Sequence, residues 1–336
     1  MLDCPQVSVI IPTYKRPKKC LRAVKSVLLQ TFQDFEIIVG DDFGKDETKA
    51  LLAELGDPRI RYFDNQGKGG SASSNRNLCL ERSLGRYVTF LDSDDFILPD
   101  KLQLQYAALS VNDYETGFVI SGTRVIKVQG GKYYRYKDLI PTAEGDIRKA
   151  YFERRLNCYN TSLMVRRDAL DSVGRWDPRI GPYDDSELLM RLLLKYKAAK
   201  VSQVGTLWFD HDGVDSFSND QVARLSGLHA FLSKHASLMV KYPLWANNRM
   251  LELAKLQFMA GKAKCSRASL RKVRPTVRGR YKLMKLVGYI PCYASLLASI
   301  YPTYSKLNKP EWLKAESQAL QALIPKRHVD VMIPIL

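Results

Sequence analysis

RYVTFLDSDD, residues 86–95, is the stretch on which the reading of this chain turns. Tyr87, Val88, Thr89, Phe90 and Leu91 form a short apolar run of β-branched and aromatic residues, the signature of a buried strand. It stops abruptly in Asp92, Ser93, Asp94 and Asp95. Three carboxylates crowded at a strand end repel one another unless a cation lies among them. Asp92 and Asp94 share a face of an extended backbone, and a bend after the strand would converge them on one ion. Hard carboxylate oxygens in that arrangement suit magnesium or manganese. A solvated acidic turn before the helix that starts near Pro99 is the plainer alternative, and the surrounding sequence decides between them.

Strands and helices alternate on the N-terminal side. Val7–Ile11 reads as a first strand, ended by Pro12, Thr13 and Tyr14, and a helix follows with Leu21, Val24, Val27 and Leu28 on one face. Phe35–Val39 is a second strand ending in Gly40-Asp41-Asp42; a helix covers roughly 46–55, and Ile60–Phe63 is a third strand. A Gly/Ser/Asn-rich loop at 64–74 leads to a helix at 75–84. Such alternation predicts βαβ units and an α/β fold with a parallel or mixed sheet flanked by helices. Ligands of open parallel sheets bind beyond the carboxyl ends of the strands. Tyr14, Asp41 and Asp92–Asp95 all follow strands, so they are expected on one edge.

The middle of the chain is mixed. Val119–Ser121, Thr123–Val128, Lys132–Tyr136, Asn160–Val165, Val201–Val204 and Leu207–Phe209 read as separate short strands, with a turn at Gly130-Gly131. Helices are expected at 168–173 and 186–196, the second opened by Gly181–Asp185 with Leu188, Leu189, Leu192 and Leu193 inward. Glu187, one turn in, is expected to be a surface or first-turn carboxylate. Beyond about 218 the pattern is helical and basic. Two regions are therefore expected: 1–216 carrying the chemistry, and 217–336 as a basic, mainly helical extension.

Charge supports that division. Of the net +17, residues 241–336 hold 18 Lys/Arg against 4 Asp/Glu, a surplus of +14, which leaves +3 for the first 240 residues. A basic tail meets phosphate, in nucleic acid, anionic lipid or a phosphorylated substrate. Within it, residues 262–285 are strongly basic and residues 286–302 are apolar but broken by Gly288 and Pro291. The apolar part is short for a bilayer span, which takes roughly 20 residues. It better suits a segment lying in the membrane interface, with a solvated helical domain as the alternative. Six scattered cysteines without a C-x-x-C pair argue against a zinc site or disulfide framework and fit a reducing cytosol. No signal peptide is visible before the first strand.

Taken in order, VSVIIPTYKRP (7–17), EIIVGDD (36–42), SNRN (74–77), GRYVTFLDSDD (85–95), VGRWD (173–177) and GPYDDSELLMRL (181–192) resemble the motifs of family 2 glycosyltransferases, with a weaker match in WFDHDGVDS (208–216). The resemblance covers residues 5 to about 216. It implies the GT-A fold and inverting transfer of a sugar from a nucleotide-diphosphate donor, most commonly a UDP-sugar. The implied acceptor is a hydroxyl of a glycan or lipid-linked molecule in surface polysaccharide, lipopolysaccharide or capsule synthesis. It further implies that Pro12, Thr13 and Tyr14 shape the nucleoside pocket and that Asp41 bonds the base. Arg76 would lie near the donor, Asp92 and Ser93 against its sugar or ribose. Asp94 would hold a divalent metal, Mn or Mg, with His211 close to it. Asp185 is the implied general base; Trp176, Asp177 and Asp184 fall beside the acceptor. Each has an ordinary alternative: Tyr14 a loop aromatic, Arg76 a surface helix residue, Trp176 core, His211 packing, Asp184 and Asp185 helix capping. After Asp41-Asp42 the family usually continues Gly-Ser, whereas this chain has Phe43-Gly44.

Other classes fit less well. No G-x-G-x-x-G follows the first strand, against a dinucleotide-dependent oxidoreductase. An aspartyl phosphatase would carry its acidic motif on the first strand. A protein binding nucleic acid or an anionic surface through its basic tail leaves the carboxylates at 92–95 and 184–185 unexplained. The expected partners are a nucleotide-sugar, a glycan or lipid-linked acceptor and the inner face of the cell membrane, with no nucleic acid; oligomeric state is not legible.

Overall fold

A computed structural model describes residues 4–111, 113–129, 132–156, 158–211 and 220–273, with the side chains of 128–135, 210 and 211 left out. The basic and apolar stretch from 274 to 302, on which membrane attachment was argued, lies outside the described residues, as do Gly130-Gly131 and the side chain of His211.

Four strands build the first half: β1 (Val7–Thr13), β2 (Phe35–Asp41), β3 (Ile60–Asp64) and β4 (Tyr87–Phe90), all parallel in the order β3-β2-β1-β4. Between them run α1 (Pro17–Leu28), α2 (Thr48–Ala53) and α3 (Ala72–Arg82). The α3 helix starts three residues earlier than the sequence pattern indicates, because Ser71 caps it by accepting a hydrogen bond from Ser74 N (3.2 Å). Next come β5 (Phe96–Ile97), α4 (Lys101–Ser110), β6 (Thr116–Gln129), β7 (Lys132–Leu139) and α5 (Arg148–Phe152). A 3-10 turn at Asn160–Ser162 enters β8 (Leu163–Arg166), followed by α6 (Arg167–Val173). A second 3-10 segment, Pro178–Tyr183, enters α7 (Asp184–Lys195), and β9 (Lys197–His211) closes the sheet. Here β8 is antiparallel to β4 and β6, and β9 is parallel to β6.

The structure corrects the reading of the middle. What looked like pairs of short strands are two long ones, β6 and β9, of 14 and 15 residues. Gly122 and Gly205 interrupt the apolar pattern without ending the strands. At Gly122 the pairing with β9 shifts register, and a Cβ there would lie 2.7 Å from the carbonyl oxygen of Gln203. A glycine inside a strand often marks such a bulge and close approach.

Alternation along β1 sends Ile10 to one face and Val9 and Ile11 to the other, so each face carries its own core. One core packs against α1, α2 and α4; the other against α3, α6 and α7. Fully burying each large side chain, Phe90 or Leu188 for example, contributes about 1.5–3 kcal/mol. The second core continues into α8 (Gln221–Lys234), α10 (Pro243–Met259) and α11 (Ala263–Arg271), with α9 (Ala236–Lys241) at a corner. Leu228, Phe231, Trp245 and Met250 belong to it. Gly227 lets α8 approach the 178–183 segment, since a Cβ there would meet the Ile180 carbonyl oxygen at 2.2 Å.

Candidate active site

The strand ends converge as the sheet topology requires, and Arg76 lies at the centre of what they bring together. Two asparagines fix it. Asn75 Nδ2 donates to the Gly40 carbonyl at the end of β2 (2.9 Å), where a side chain on Gly40 would collide with Asn75. Asn77 Nδ2 donates to the Trp176 carbonyl (2.9 Å), and Trp176 N donates to Asn77 Oδ1 (3.1 Å). The residue between them is held in place on α3. Its guanidinium donates to Asp92 Oδ1 (2.6 Å) and Asp184 Oδ2 (3.2 Å) and lies 4.6 Å from the centre of the Trp176 ring. Burial alone would make Arg76 easier to deprotonate, but Asp92, Asp184 and Asp185 together hold it charged, well above the ordinary arginine range. The surface-helix alternative for Arg76 does not hold: it is 4% exposed.

After β4 the chain turns tightly, Asp95 N donating to the Asp92 carbonyl (3.0 Å) and burying Ser93. Asp94 Oδ2 accepts from Arg16 Nη1 at 2.6 Å. Asp95 is buried; its Oδ1 accepts from Phe209 N (3.2 Å), and its Oδ2 is buried without a hydrogen-bond partner. Desolvation, reinforced by Asp94 and Asp92, raises the Asp95 pKa well above the usual carboxylate range. From the far side α7 delivers Asp184, which accepts from Ser73 Oγ (2.5 Å) as well as Arg76, and Asp185, whose Oδ2 accepts from Asn160 N (3.2 Å). The Asp185 pKa is also well raised, first by desolvation and then by Asp184, with Arg76 opposing.

Five carboxylates thus meet two arginines, leaving an excess of negative charge and a buried oxygen without a partner. That donor set fits a hard divalent cation. Among the described residues no three ligating side chains form a ready cage; magnesium sites commonly take one or two carboxylates and complete the shell with phosphate and water. Asp94 and Asp92 each commit one oxygen to an arginine. For His211, β9 carries the backbone there, opposite Val128 of β6.

At the other end of the edge, Tyr14 is 54% exposed and meets Phe43 edge-on, ring centres 5.9 Å apart. Phe43, the departure from the usual Gly-Ser, therefore supplies half of an aromatic wall. Lys15 Nζ lies within 4.7 Å and 5.1 Å of the two ring centres, on a residue with φ of 52°; positive φ is uncommon for a side chain of this kind and costs energy. Pro12 and Thr13 are buried beneath. Asp41 has no exposed surface: Oδ1 accepts from Phe43 N (2.9 Å) and Oδ2 from the Tyr62 hydroxyl (3.0 Å). It caps no helix. Asp42 keeps some exposed surface and accepts from Asn65 Nδ2 (3.2 Å).

One placement follows the plainer alternative and two differ from expectation. Trp176 is core, 4% exposed and edge-on to Phe90, and serves as the platform under Arg76. Asp177 is committed to Arg179 (2.9 Å) and Lys234 (2.8 Å), which hold its carboxyl far below the usual range. It ties the 178–183 segment to α8. Glu187 is fully buried, bound by Arg191 (2.8 Å), Lys234 (2.9 Å) and His235 (2.8 Å). The only sequence cue was Arg191 four residues on, a spacing that pairs charges on a helix.

A sheet with a parallel nucleotide-type half, a mixed half and carboxylates at their junction is the architecture of GT-A glycosyltransferases. Residues 8–174, the region that carries the parallel half and the carboxylate turn, match the family described as Glycosyl transferase family 2, and that region belongs to the family. It is 43% identical over 100 residues to the GalNAc(5)-diNAcBac-PP-undecaprenol beta-1,3-glucosyltransferase of Campylobacter jejuni, covering 29% of this chain and 32% of that protein. A UDP-Glc:alpha-D-GlcNAc-diphosphoundecaprenol beta-1,3-glucosyltransferase of Escherichia coli is 36% identical over 112 residues, 33% of this chain and 44% of the relative. An uncharacterized glycosyltransferase of Rickettsia conorii is 38% identical over 135 residues, 40% of this chain and 21% of the relative. The matched stretch thus spans less than half the length of each of these relatives. Among solved structures, residues 1–349 of S. aureus TarS with UDP-GlcNAc share the fold at a TM-score of 0.55 and 17% identity, over 97% of this chain and 83% of that one.

Proposed function

We propose that this chain transfers a sugar, with inversion, from a UDP-sugar to a hydroxyl of a lipid-linked glycan, as a step in surface polysaccharide synthesis. The observation that carries the reading is the carboxylate cluster gathered around Arg76: Asp92 and Asp94 from one side, Asp184 and Asp185 from the other. Tyr14 and Phe43 offer faces for the base, with Pro12, Thr13 and Asp41 shaping the pocket behind them. Arg76 orients Asp92 toward the donor sugar, with Ser93 in the same turn. Asp94, with His211 on the end of β9, is the position for manganese or magnesium. A divalent ion bound there with the donor supplies positive charge that stabilises the departing diphosphate.

Asp185 is the general base. Its Oδ2 is occupied by Asn160 N, which leaves Oδ1 to take the proton as the acceptor oxygen attacks the anomeric carbon. A carboxylate with a raised pKa is a stronger base than one in water, and desolvation at the start of α7 provides that. Asp184 supports it by holding Arg76. The named substrates of the two glucosyltransferase relatives, both diphosphoundecaprenol-linked, support the lipid-linked acceptor, and the UDP-Glc in the name of one supports the nucleotide. Among the described residues no helix is long and apolar enough to cross a membrane; attachment to the inner membrane surface through 217–336 is part of the proposal.

Transfer of labelled sugar from a panel of UDP-sugars to undecaprenyl-diphosphate-linked glycans tests it. Activity in the wild type that falls by a factor of roughly 100–10,000 in Asp185→Asn is the expected result. Transfer undiminished in that variant would remove Asp185 as the base.

A further inference from the structure

Next to the candidate base lies a group of side chains to which no role has been given. Tyr159 and Trp208 stack, ring centres 4.6 Å apart and planes inclined by 20°, and both keep exposed surface. Their neighbours in sequence reach the site directly: Asn160 N donates to Asp185, and Phe209 N donates to Asp95. Asn160 is 1% exposed, yet neither Oδ1 nor Nδ2 of its amide has a hydrogen-bond partner; the buried Thr161 hydroxyl has none either. Buried polar atoms without partners are rare and costly, since each has given up water for nothing in return. Two in consecutive residues, beside a partly exposed aromatic stack, point to a polar ligand with an apolar face.

The platform is rigid. Thr206 Oγ1 donates to the Thr161 carbonyl (3.0 Å), and Gln105 Nε2 donates to the Ser162 carbonyl (2.8 Å). Thr89 Oγ1 donates to the Leu163 carbonyl (2.6 Å). These bonds tie the turn to β9, α4 and β4, so its side chains meet a ligand without first paying the entropy of ordering.

We propose that Tyr159, Asn160 and Trp208 form the acceptor-sugar subsite, the aromatic pair covering the apolar face of a pyranose ring while the Asn160 amide bonds its hydroxyls. A sugar ring is the ligand class that combines C–H faces with a rim of hydroxyls, matching a stack bordered by an amide and a hydroxyl. It is the acceptor's ring because the acceptor hydroxyl must lie within hydrogen-bond reach of Asp185 for its proton to be taken. The segment that carries Tyr159 is joined to Asp185 by its backbone. The inference rests on the glycosyltransferase reading, and a binding measurement separates the two.

Saturation-transfer NMR on the full chain with octyl β-glycosides of glucose, galactose and N-acetylglucosamine, with and without UDP and manganese, provides the test. The wild type should transfer saturation to ring protons of at least one glycoside. In Trp208→Ala and Tyr159→Ala its affinity should fall about tenfold, while Trp208→Phe, which keeps an aromatic face, should retain most of it. UDP affinity by calorimetry should stay within twofold of wild type in all three, which also shows that they fold. UDP binding with no glycoside detected, or glycoside binding unchanged in both alanine variants, overturns the subsite and leaves the transferase reading intact. A glycoside that binds as predicted to a protein binding no nucleotide sustains the subsite and sinks the transferase reading.

Discussion

Replacing Glu187 by Gln keeps the shape of a buried side chain and removes its charge. In the native protein that charge meets Arg191, Lys234 and His235, and hydrogen bonds from His235 and Arg191 outweigh the desolvation that opposes them, bringing the pKa from 4.5 to about 2. A carboxyl lowered from 4.5 to about 2 contributes ~3 kcal/mol of stability to the folded state. Because the folded pKa is depressed, this contribution is fully present above about pH 4.5 and is lost as pH falls through about 2. Urea denaturation of wild type and Glu187→Gln, followed from pH 7 down to pH 3, should show a gap of order 3 kcal/mol at pH 7 that narrows on acidification. The same network joins the first turn of α7 to α8, so the variant should also lose transferase activity through a displaced Asp185. A difference under 1 kcal/mol at pH 7, or one that does not change with pH, would refute the argument.

Three more outcomes follow from the geometry. Lys101 is buried, with the Thr89 hydroxyl and the Gln105 side-chain amide oxygen as its hydrogen-bond partners among the described residues (3.0 and 2.8 Å), and desolvation brings its pKa down to about 7. Between about pH 7 and 10.5 the unfolded chain then binds the extra proton, so stability should rise with pH by up to about 1.4 kcal/mol per unit, a slope that Lys101→Met should flatten in denaturation curves. Tyr14→Ala should weaken nucleotide binding by about tenfold or more through the lost stacking face, read by titration calorimetry, with no loss of thermal stability, since the ring is mostly exposed. The acid limb of the pH–rate profile should lie above the ordinary carboxylate range, because desolvation and then the charge of Asp184 raise the Asp185 pKa; Asp184→Asn removes that like charge and should move the limb to lower pH.

The parallel half of the fold was legible because its strands are short apolar runs ending in charged or turn residues, and β1, β2 and β4 announce their buried runs and their edge, although β1 and β2 extend two residues past those runs, to Thr13 and Asp41. The site was legible for the same reason: carboxylates placed just after strands must share an edge once the sheet is parallel. β6 and β9 look like fragments in the sequence because a glycine that permits a bulge looks, in one dimension, like a break. The burial of Glu187 is not legible because a first-turn carboxylate is usually solvated, and only the fold brings Lys234 and His235 across to it. In SNRN the arginine drew attention, while Asn75 and Asn77, which fix it between β2 and the Trp176 loop, carried no signal of their own. Tyr159 and Trp208 are nearly fifty residues apart, so their stack is a product of pairing β9 into the sheet beside the 160–162 turn.

The proposed role of Asp94 is the one to test first: it would hold a divalent ion at the donor site, and here its Oδ2 pairs with Arg16 at 2.6 Å. Calorimetric titration of the protein with UDP, GDP and dTDP, with and without manganese, tests it when repeated on Asp94→Ala. The account predicts UDP binding that requires manganese in the wild type and is lost in Asp94→Ala. Binding of UDP that is equally tight without manganese, or unaffected by Asp94→Ala, would contradict it.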